Sequence, residues 1–315
     1  MIMPPVLFKK VRNEGFFMKY YVLFNPLAGN GRGVMATEEL ISLMKGDSLD
    51  FCDMTKIKSY GDFFDSAKGC PVIICGGDGT LNRFVNDTAG INAENDIFYY
   101  ATGSGNDFLN DLEKKKGEPP FKINKYLKNL PTVTVNGKSS LFLNAIGYGI
   151  DGYCCEEGDK KRTLNGKSIN YTPIAVKGLF GGYTPTNAVI TLDGKEMTFE
   201  KVWLAPTMNG RYFGGGMMAA PNQNRLNPEH TVALMVMNGK TRLNALCAFP
   251  SIFKGEHITK HADIAKEFFG REITVKFDRP TALQIDGETI PGVLEYSVST
   301  AKTAKDGKPA AAATV

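Results

Sequence analysis

Residues 72–88 read VIICGGDGTLNRFVNDT, from Val72 to Thr88. The continuous apolar run Val72–Cys75 suits a buried strand, and Thr80–Thr88 reads as a helix. Between them lies a glycine-rich turn, Gly76-Gly77-Asp78-Gly79-Thr80. Such a turn lets backbone N–H groups come close to a phosphate, and the N-terminus of the following helix adds partial positive charge. Asp78 would repel a bare phosphate, but it makes sense beside a Mg2+ that bridges phosphate oxygens, directly or through water. In isolation the segment is equally an ordinary strand-to-helix turn with Thr80 as its N-cap.

Working outward, two more loops of this kind occur in the same half. Tyr20–Phe24 is a short apolar run that ends in Asn25-Pro26-Leu27-Ala28-Gly29, with Met35–Met44 at helical spacing beyond it. Asp96–Ala101 reads as a strand and leads to Gly103-Ser104-Gly105-Asn106-Asp107-Phe108. With a strand at Leu49–Thr55 and a helix at Asp62–Ala67, strands and helices alternate, which implies a parallel, doubly wound sheet. All three loops then gather at the carboxyl edge of that sheet, where open α/β sheets bind ligands. Their coincidence says more than any one of them alone.

After about residue 130 the pattern changes. Thr132–Asn136, Leu141–Gly149, Val189–Leu192, Lys201–Ala205, Thr231–Met237, Ile273–Phe277, Ala282–Ile285 and Gly292–Ser299 read as strands. Only Ile169–Leu179 and Arg242–Ile252 look strongly helical. The fold class is therefore α/β + β: an α/β domain over 18–130 and a mostly antiparallel β-sandwich domain over 131–300. Residues 1–17 read as an extension ahead of the fold, and 301–315 as a disordered tail.

Composition bounds the function. The chain has 315 residues, 43% hydrophobic and 22% charged, with a formal net charge of +4. That describes a folded protein and is too weakly basic to argue for nucleic acid, although it permits attraction to an anionic membrane surface. Its length favours two domains over one. The cysteines at 52, 70, 75, 154, 155 and 247 form no C-x-x-C pair and read as reduced thiols of a cytosolic protein. No apolar run approaches the roughly 18 residues needed to span a bilayer.

The usual nucleotide motifs are missing. Gly166-Lys167-Ser168 has Lys161, not glycine, at the upstream P-loop position, and no G-x-G-x-x-G follows the first strand. The set Asn25-Pro26…Gly29, Gly76–Asn82, Gly103–Phe108 and Gln284-Ile285-Asp286-Gly287-Glu288 instead resembles the diacylglycerol kinase catalytic-domain family, in the right order over residues 18–299. That family includes bacterial soluble diacylglycerol kinases, YegS-like lipid kinases, and sphingosine and ceramide kinases. The resemblance implies an ATP-binding α/β domain, a C-terminal β-sandwich, an active site in the cleft between them, and transfer of the ATP γ-phosphoryl group to a lipid hydroxyl. It implies ATP contacts at Asn25, Pro26, Leu27, Ala28, Gly29, Thr55, Gly76, Gly77, Asp78, Gly79, Thr80, Leu81, Asn82, Ser104 and Asn106. It also implies Mg2+ brought with the nucleotide near Asp78, and Asp107 and Asp151 lining the lipid-hydroxyl site.

Phosphoryl transfer needs a proton acceptor for the incoming hydroxyl. On an extended segment Asp286 and Glu288 would face the same side, while Asp-Gly alone reads as a hairpin turn. The resemblance assigns the base to this Asp286/Glu288 pair without choosing between them. Many bacterial members carry Asp-Gly where this chain has Asn227-Pro228. Neutral amides bind Mg2+ more weakly than carboxylates, so Asn227 is a poor ligand for a structural Mg2+.

His257 and His261 lack the H-E-x-x-H glutamate and read as surface histidines. Lys114–Lys116 and Lys160–Arg162 read as solvated runs or contacts for anionic headgroups. Leu179–Tyr183 and Tyr212–Met218 join large apolar side chains to glycines, as loops that pack at the core's edge, line an acyl-chain cleft or dip into a membrane do. The leading expectation is a cytoplasmic, peripherally membrane-associated kinase of diacylglycerol, with a homodimer left open. The acceptor could also be a sphingoid base, ceramide, phosphatidylglycerol or a long-chain alcohol. The rivals are an NAD kinase and a catalytically weak lipid- or nucleotide-binding regulator.

Overall fold

The structure is a computed structural model that describes residues 18–26, 33–103, 105–165, 172–239 and 241–300. Residues 1–17 and 301–315, together with Leu27–Gly29 and Ser104, lie outside the described residues. Among the described residues no helix is long and apolar enough to cross a membrane.

The first domain runs β1 (Lys19–Phe24), α1 (Gly33–Leu43), β2 (Ser48–Asp53), α2 (Tyr60–Ser66), β3 (Val72–Gly76), α3 (Asp78–Asp87), β4 (Ile97–Ala101), α4 (Asp107–Asp111) and β5 (Phe121–Lys122). Its sheet has the order β2-β1-β3-β4-β5, parallel except for β5. β3 is apolar on both faces because both are covered. Ile73 and Cys75 pack with Leu40 of α1 on one side. Val72 and Ile74 pack with Tyr60 and Phe64 of α2 and with Leu81, Phe84 and Val85 of α3 on the other.

The second domain runs β6 (Thr132–Val135), β7 (Lys138–Leu141), β8 (Ala145–Tyr148), α5 (Ile150–Asn165), α6 (Thr172–Lys177), a π turn (Gly178–Gly182), β9 (Thr186–Leu192), β10 (Lys195–Val202), β11 (Thr207–Met208), β12 (Val232–Met237), α7 (Arg242–Ile252), α8 (His257–Lys260), β13 (Ala265–Gly270), β14 (Glu272–Ile285) and β15 (Glu288–Ser299). Its ten strands are linked by antiparallel pairing. The long β14 makes the corner of a sandwich-like body. Its first half pairs with β9 and its second half with β8, with a register shift between Lys276 and Thr281. Pro280 sits in that irregular stretch, where a missing N–H costs no ladder bond. β12 is buried on both faces: Val232, Leu234 and Val236 face the sandwich interior, while Ala233, Met235 and Met237 face helices.

Several expectations are corrected here. Leu141–Gly149 is two strands, not one, because the chain breaks at residues 142–144 to hold a carboxylate described below. Ile273–Phe277 and Ala282–Ile285 are one strand. The helix α5 and the strand β13 were not anticipated, and β10 runs over Lys195–Val202 where the expected strand began at Lys201. His257 is not a surface residue: it is fully buried, its Nε2 lies 3.0 Å from the Ala219 carbonyl, and burial lowers its pKa.

Candidate active site

The carboxyl ends of β1, β2, β3 and β4 bring Asn25-Pro26, Thr55, Gly76–Asp78 and Gly103 to one edge of the first sheet. Strand order reverses between β1 and β3, which opens a crevice there. Asn25 and Pro26 lie on one side of it and the Gly76–Thr80 turn on the other. Thr55 is fixed through Asp53, whose Oδ1 accepts both the Thr55 N–H (2.9 Å) and its hydroxyl (2.6 Å).

The glycines of the two described loops answer mainly to each other. A Cβ built on Gly103 would lie 2.7 Å from the Cα of Gly77, and one on Gly76 would lie 2.4 Å from the Cβ of Thr80. Gly79, by contrast, faces open space. Thus Gly77 and Gly103 let the two loops nest backbone to backbone, Gly76 makes room for the Thr80 side chain, and Gly79 leaves the start of α3 uncovered.

The acidic residues form a chain of clasps between elements. The Asp78 carboxylate accepts the N–H groups of Asp107 (2.9 Å) and Phe108 (3.1 Å), capping α4. Asp107 in turn accepts the N–H groups of Gly215 (2.9 Å) and Gly216 (2.8 Å) in the second domain. Gly214, Gly215 and Gly216 all have positive φ, which presents consecutive N–H groups to one anion. The Tyr212–Met218 segment is therefore a clasp on Asp107, with Phe213 and Met217 buried, and not a free apolar loop. Burial, reinforced by the Asp78 charge, pushes the Asp107 carboxyl up to about 7.

Asp286 and Gly287 form the two-residue turn between β14 and β15, both with positive φ. The segment is the hairpin turn that Asp-Gly alone suggests, and not the extended run on which Asp286 and Glu288 would face one side. Asp286 Oδ1 accepts the N–H groups of Asn144 (2.8 Å) and Ala145 (2.9 Å). Its Oδ2 accepts from the Leu143 N–H (2.5 Å) and from Asn82 Nδ2 (2.6 Å). Burial still raises its pKa, against the pull of those donors. Glu288, at the start of β15, is exposed. Asn82 and Asn86 of α3 face the second domain together, and Asn86 exchanges hydrogen bonds with the Leu141 backbone in both directions.

Asp151 stands in the first turn of α5, 8% exposed. Among the described residues its Oδ2 has no hydrogen-bond partner, and a Cβ on Gly147 would lie 1.7 Å from that atom. Burial pushes this carboxyl up to about 6, with the neighbouring Gln284 amide pulling it back. Asn106 has φ 53 and donates from Nδ2 to the Gly103 carbonyl, closing the third loop on itself.

Arg225 and Arg211 were not anticipated, and Lys116 of the Lys114–Lys116 run binds a loop of its own domain. Arg225, with a side chain 4% exposed, bonds through Nε to Asp111 of α4. Its Nη atoms reach the Leu143 carbonyl (3.3 Å) and Asn144 Oδ1 (3.1 Å), and its guanidinium lies over the Phe108 ring. Arg211 adds a second link to Asp111 at 2.9 Å. Lys116 donates to the carbonyls of Thr102 and Gly103, which puts a positive charge on the third glycine loop.

Among the described residues no three carboxylate, thiol or imidazole groups converge on a point that could cage a metal. A Mg2+ held chiefly by phosphate oxygens and water fits this donor set, with Asp78 adding charge. Asn227 does not fit a metal: its Oδ1 accepts the Thr231 N–H (2.9 Å) and its Nδ2 donates to the Asn224 and Thr231 carbonyls. It is a turn lock.

Comparison with known proteins divides the chain in the same way. Residues 19–135 match the diacylglycerol kinase catalytic domain, and residues 144–300 match the YegS C-terminal NAD kinase beta sandwich-like domain. A protein of Mycobacterium tuberculosis named "Diacylglycerol kinase" is 25% identical over 256 residues, covering 76% of this chain and 80% of that one. A crystal structure of a diacylglycerol kinase from Bacillus anthracis shares the fold at a TM-score of 0.59 and 20% identity, covering 92% of this chain and 96% of that one.

Proposed function

Since the chain belongs to the diacylglycerol kinase catalytic-domain family, we propose that it is a lipid kinase that transfers the γ-phosphoryl group of ATP to a lipid hydroxyl, with diacylglycerol as the first acceptor. One observation carries this reading. The tip of the β14–β15 hairpin is bonded through Asp286 to Asn82, in the helix that starts at the Gly76–Thr80 turn. A triphosphate at the mouth of the crevice and an alcohol held by the second domain would thus meet across a fixed junction.

In this reading ATP lies along Asn25, Pro26, Thr55 and Gly76–Asn82, with Asn106 shaping the third loop. Sequence adds Leu27, Ala28, Gly29 and Ser104. Mg2+ brought by the nucleotide would neutralise phosphate charge near Asp78. Glu288 accepts the proton from the lipid hydroxyl as its oxygen attacks the γ-phosphorus. The bond from that phosphorus to the β–γ bridging oxygen breaks, and ADP leaves. Asp286 is the weaker candidate for the base because both of its oxygens are engaged by donors. It positions the hairpin and residues 143–145. Asp107 and Asp151 line the acceptor side.

The test follows label from [γ-32P]ATP into diacylglycerol in detergent micelles, with NAD as a parallel acceptor. Label should enter the lipid and not NAD. Glu288→Gln should lower transfer by about 10²–10⁴-fold, with nucleotide binding retained. Label in NAD alone, or full transfer by Glu288→Gln, would overturn the substrate class or the base respectively.

A further inference from the structure

Glu288 stands exposed at the start of β15, so the backbone on either side of it decides where its carboxylate lies. Both of its neighbours in the chain are tied. Gly287 donates its N–H to Gln284 Oε1 at 2.6 Å, and Thr289 donates its hydroxyl to Asp159 Oδ2 at 2.7 Å. The first tie begins deep in the sheet. Gln284 is 3% exposed and pairs with Gly147 of β8 on one side and with Thr289 of β15 on the other. An N–H can only donate, so the bond to Gly287 turns the amide oxygen of Gln284 toward the hairpin and its NH2 group away from it. A Cβ built on Gly147 would lie 2.7 Å from Gln284 Nε2 and 1.7 Å from Asp151 Oδ2. The bare glycine thus leaves room for amide and carboxyl to meet, and the amide pulls the Asp151 carboxyl down against its burial.

Both ties lead to one helix. Asp151 and Asp159 belong to α5 and lie about two turns apart along it. The helix is seated firmly on the strand that carries Gln284. A Cβ on Gly152 would lie 1.7 Å from the Ala282 carbonyl oxygen, so helix and strand meet there backbone to backbone. A two-residue turn with positive φ at Asp286 and Gly287 is thereby braced by a helix of 16 residues.

We propose that α5 is a splint for the base: Gln284, anchored at Asp151, and Asp159 are positioning residues that hold Glu288 from both sides, through Gly287 and Thr289. Asp286 ties the same turn to Asn82 of the first domain, so the hairpin tip is fixed from two directions. Glu288 then needs no side-chain lock of its own and keeps its carboxylate open to an incoming hydroxyl. The inference rests on the lipid-kinase reading for the group that is positioned, whereas the two ties stand without it.

The test measures kcat for transfer to detergent-dispersed diacylglycerol, and KM for ATP, in Gln284→Leu and Thr289→Val, each alone and on the Glu288→Gln background. Alone, each should lower kcat about tenfold or more and leave KM for ATP unchanged. Thr289→Ser keeps the hydroxyl and should recover most of the loss. On the Glu288→Gln background neither should lower the residual rate further, because the group they position is gone. Loss by the same factor on both backgrounds would assign the ties to the fold alone and overturn the proposal, as would wild-type kcat in both single variants. Thr289 is half-buried, so Thr289→Val decides the matter if Gln284→Leu does not fold. Full transfer by Glu288→Gln removes the base and overturns this inference with it. Amide exchange of the hairpin tip, read by mass spectrometry, needs no turnover and should quicken in Gln284→Leu and in Thr289→Val; unchanged exchange in both also overturns the proposal. Quickened exchange in a protein whose wild type labels no lipid would leave the ties standing and refute the kinase reading instead.

Discussion

The two ends of α4 hold carboxylates one turn apart in opposite states. Among the described residues Asp107 meets backbone N–H groups and other carboxylates, and burial with the Asp78 charge pushes it up to about 7. Burial pushes Asp111 up as well, but the Arg225 guanidinium beside it, with Arg211, holds it below the usual carboxylate range. The difference separates two jobs. Asp111 and its arginines strap the domains together, and that strap keeps residues 143–145 where they grip Asp286. Among the described residues, Asp107, Asp151 and Asp286 have instead no cationic partner, an arrangement that costs stability and suits a site awaiting a cation or a proton.

The comparison breaks most visibly if Arg225 is replaced. Arg225→Met leaves Asp111 buried with Arg211 alone, and unfolding free energy should fall by about 3–5 kcal/mol, measured by urea titration. Arg225→Lys should recover part of that loss but not the two contacts to residues 143 and 144.

A smaller effect is expected at the other end of the strap. In Asp286→Asn an NH2 group must face backbone N–H donors, so stability should drop by about 2 kcal/mol and lipid phosphorylation should collapse, while a fluorescent ATP analogue still binds. Undiminished phosphorylation would show that the hairpin tip is not needed.

The smallest change sharpens the contrast through pH. The Asp151 carboxyl sits at about 6 in the folded chain and at 3.8 unfolded. The folded state therefore holds more protons between those values, and this group lowers stability as pH rises through that window. Asp151→Asn should match the wild type near pH 4 and exceed it progressively as pH rises toward 7.5. Parallel curves for the two proteins would contradict the assignment.

The parts of this design that were legible in the sequence are local. β3 and α3 are visible because a buried apolar run and a glycine turn sit within about fifteen residues of each other, and the doubly wound pattern repeats that signal. What was hidden depends on distant partners. In α5, Gly152 and Gly158 weaken the helical signal, yet Gly152 is there because a Cβ would lie 1.7 Å from the Ala282 carbonyl. β10 was anticipated only from Lys201, whose positive φ marks an irregularity near the strand's end and not its start. The three glycines of the Asp107 clasp announce unusual backbone but not the carboxylate 108 residues away that they hold. Arg225 is one arginine in a polar stretch, and nothing near it in sequence reveals Asp111, 114 residues earlier. Asp286-Gly287 is the hairpin turn that this dipeptide suggests, while its place in the site is what the resemblance implies. The structure shows that the turn geometry is what aims Asp286 inward and leaves Glu288 outside.

Asn82 and Asp286 are 204 residues apart, and β15, the strand that follows the hairpin tip, pairs with β6 near the start of the second domain. A ribosome therefore releases the whole first domain long before the hairpin exists, and the second domain closes only when the last described strand has emerged. Nascent chains halted anywhere before residue 286 would present the crevice without the hairpin that bonds to Asn82, so translation itself withholds this junction between the domains until synthesis has passed that point.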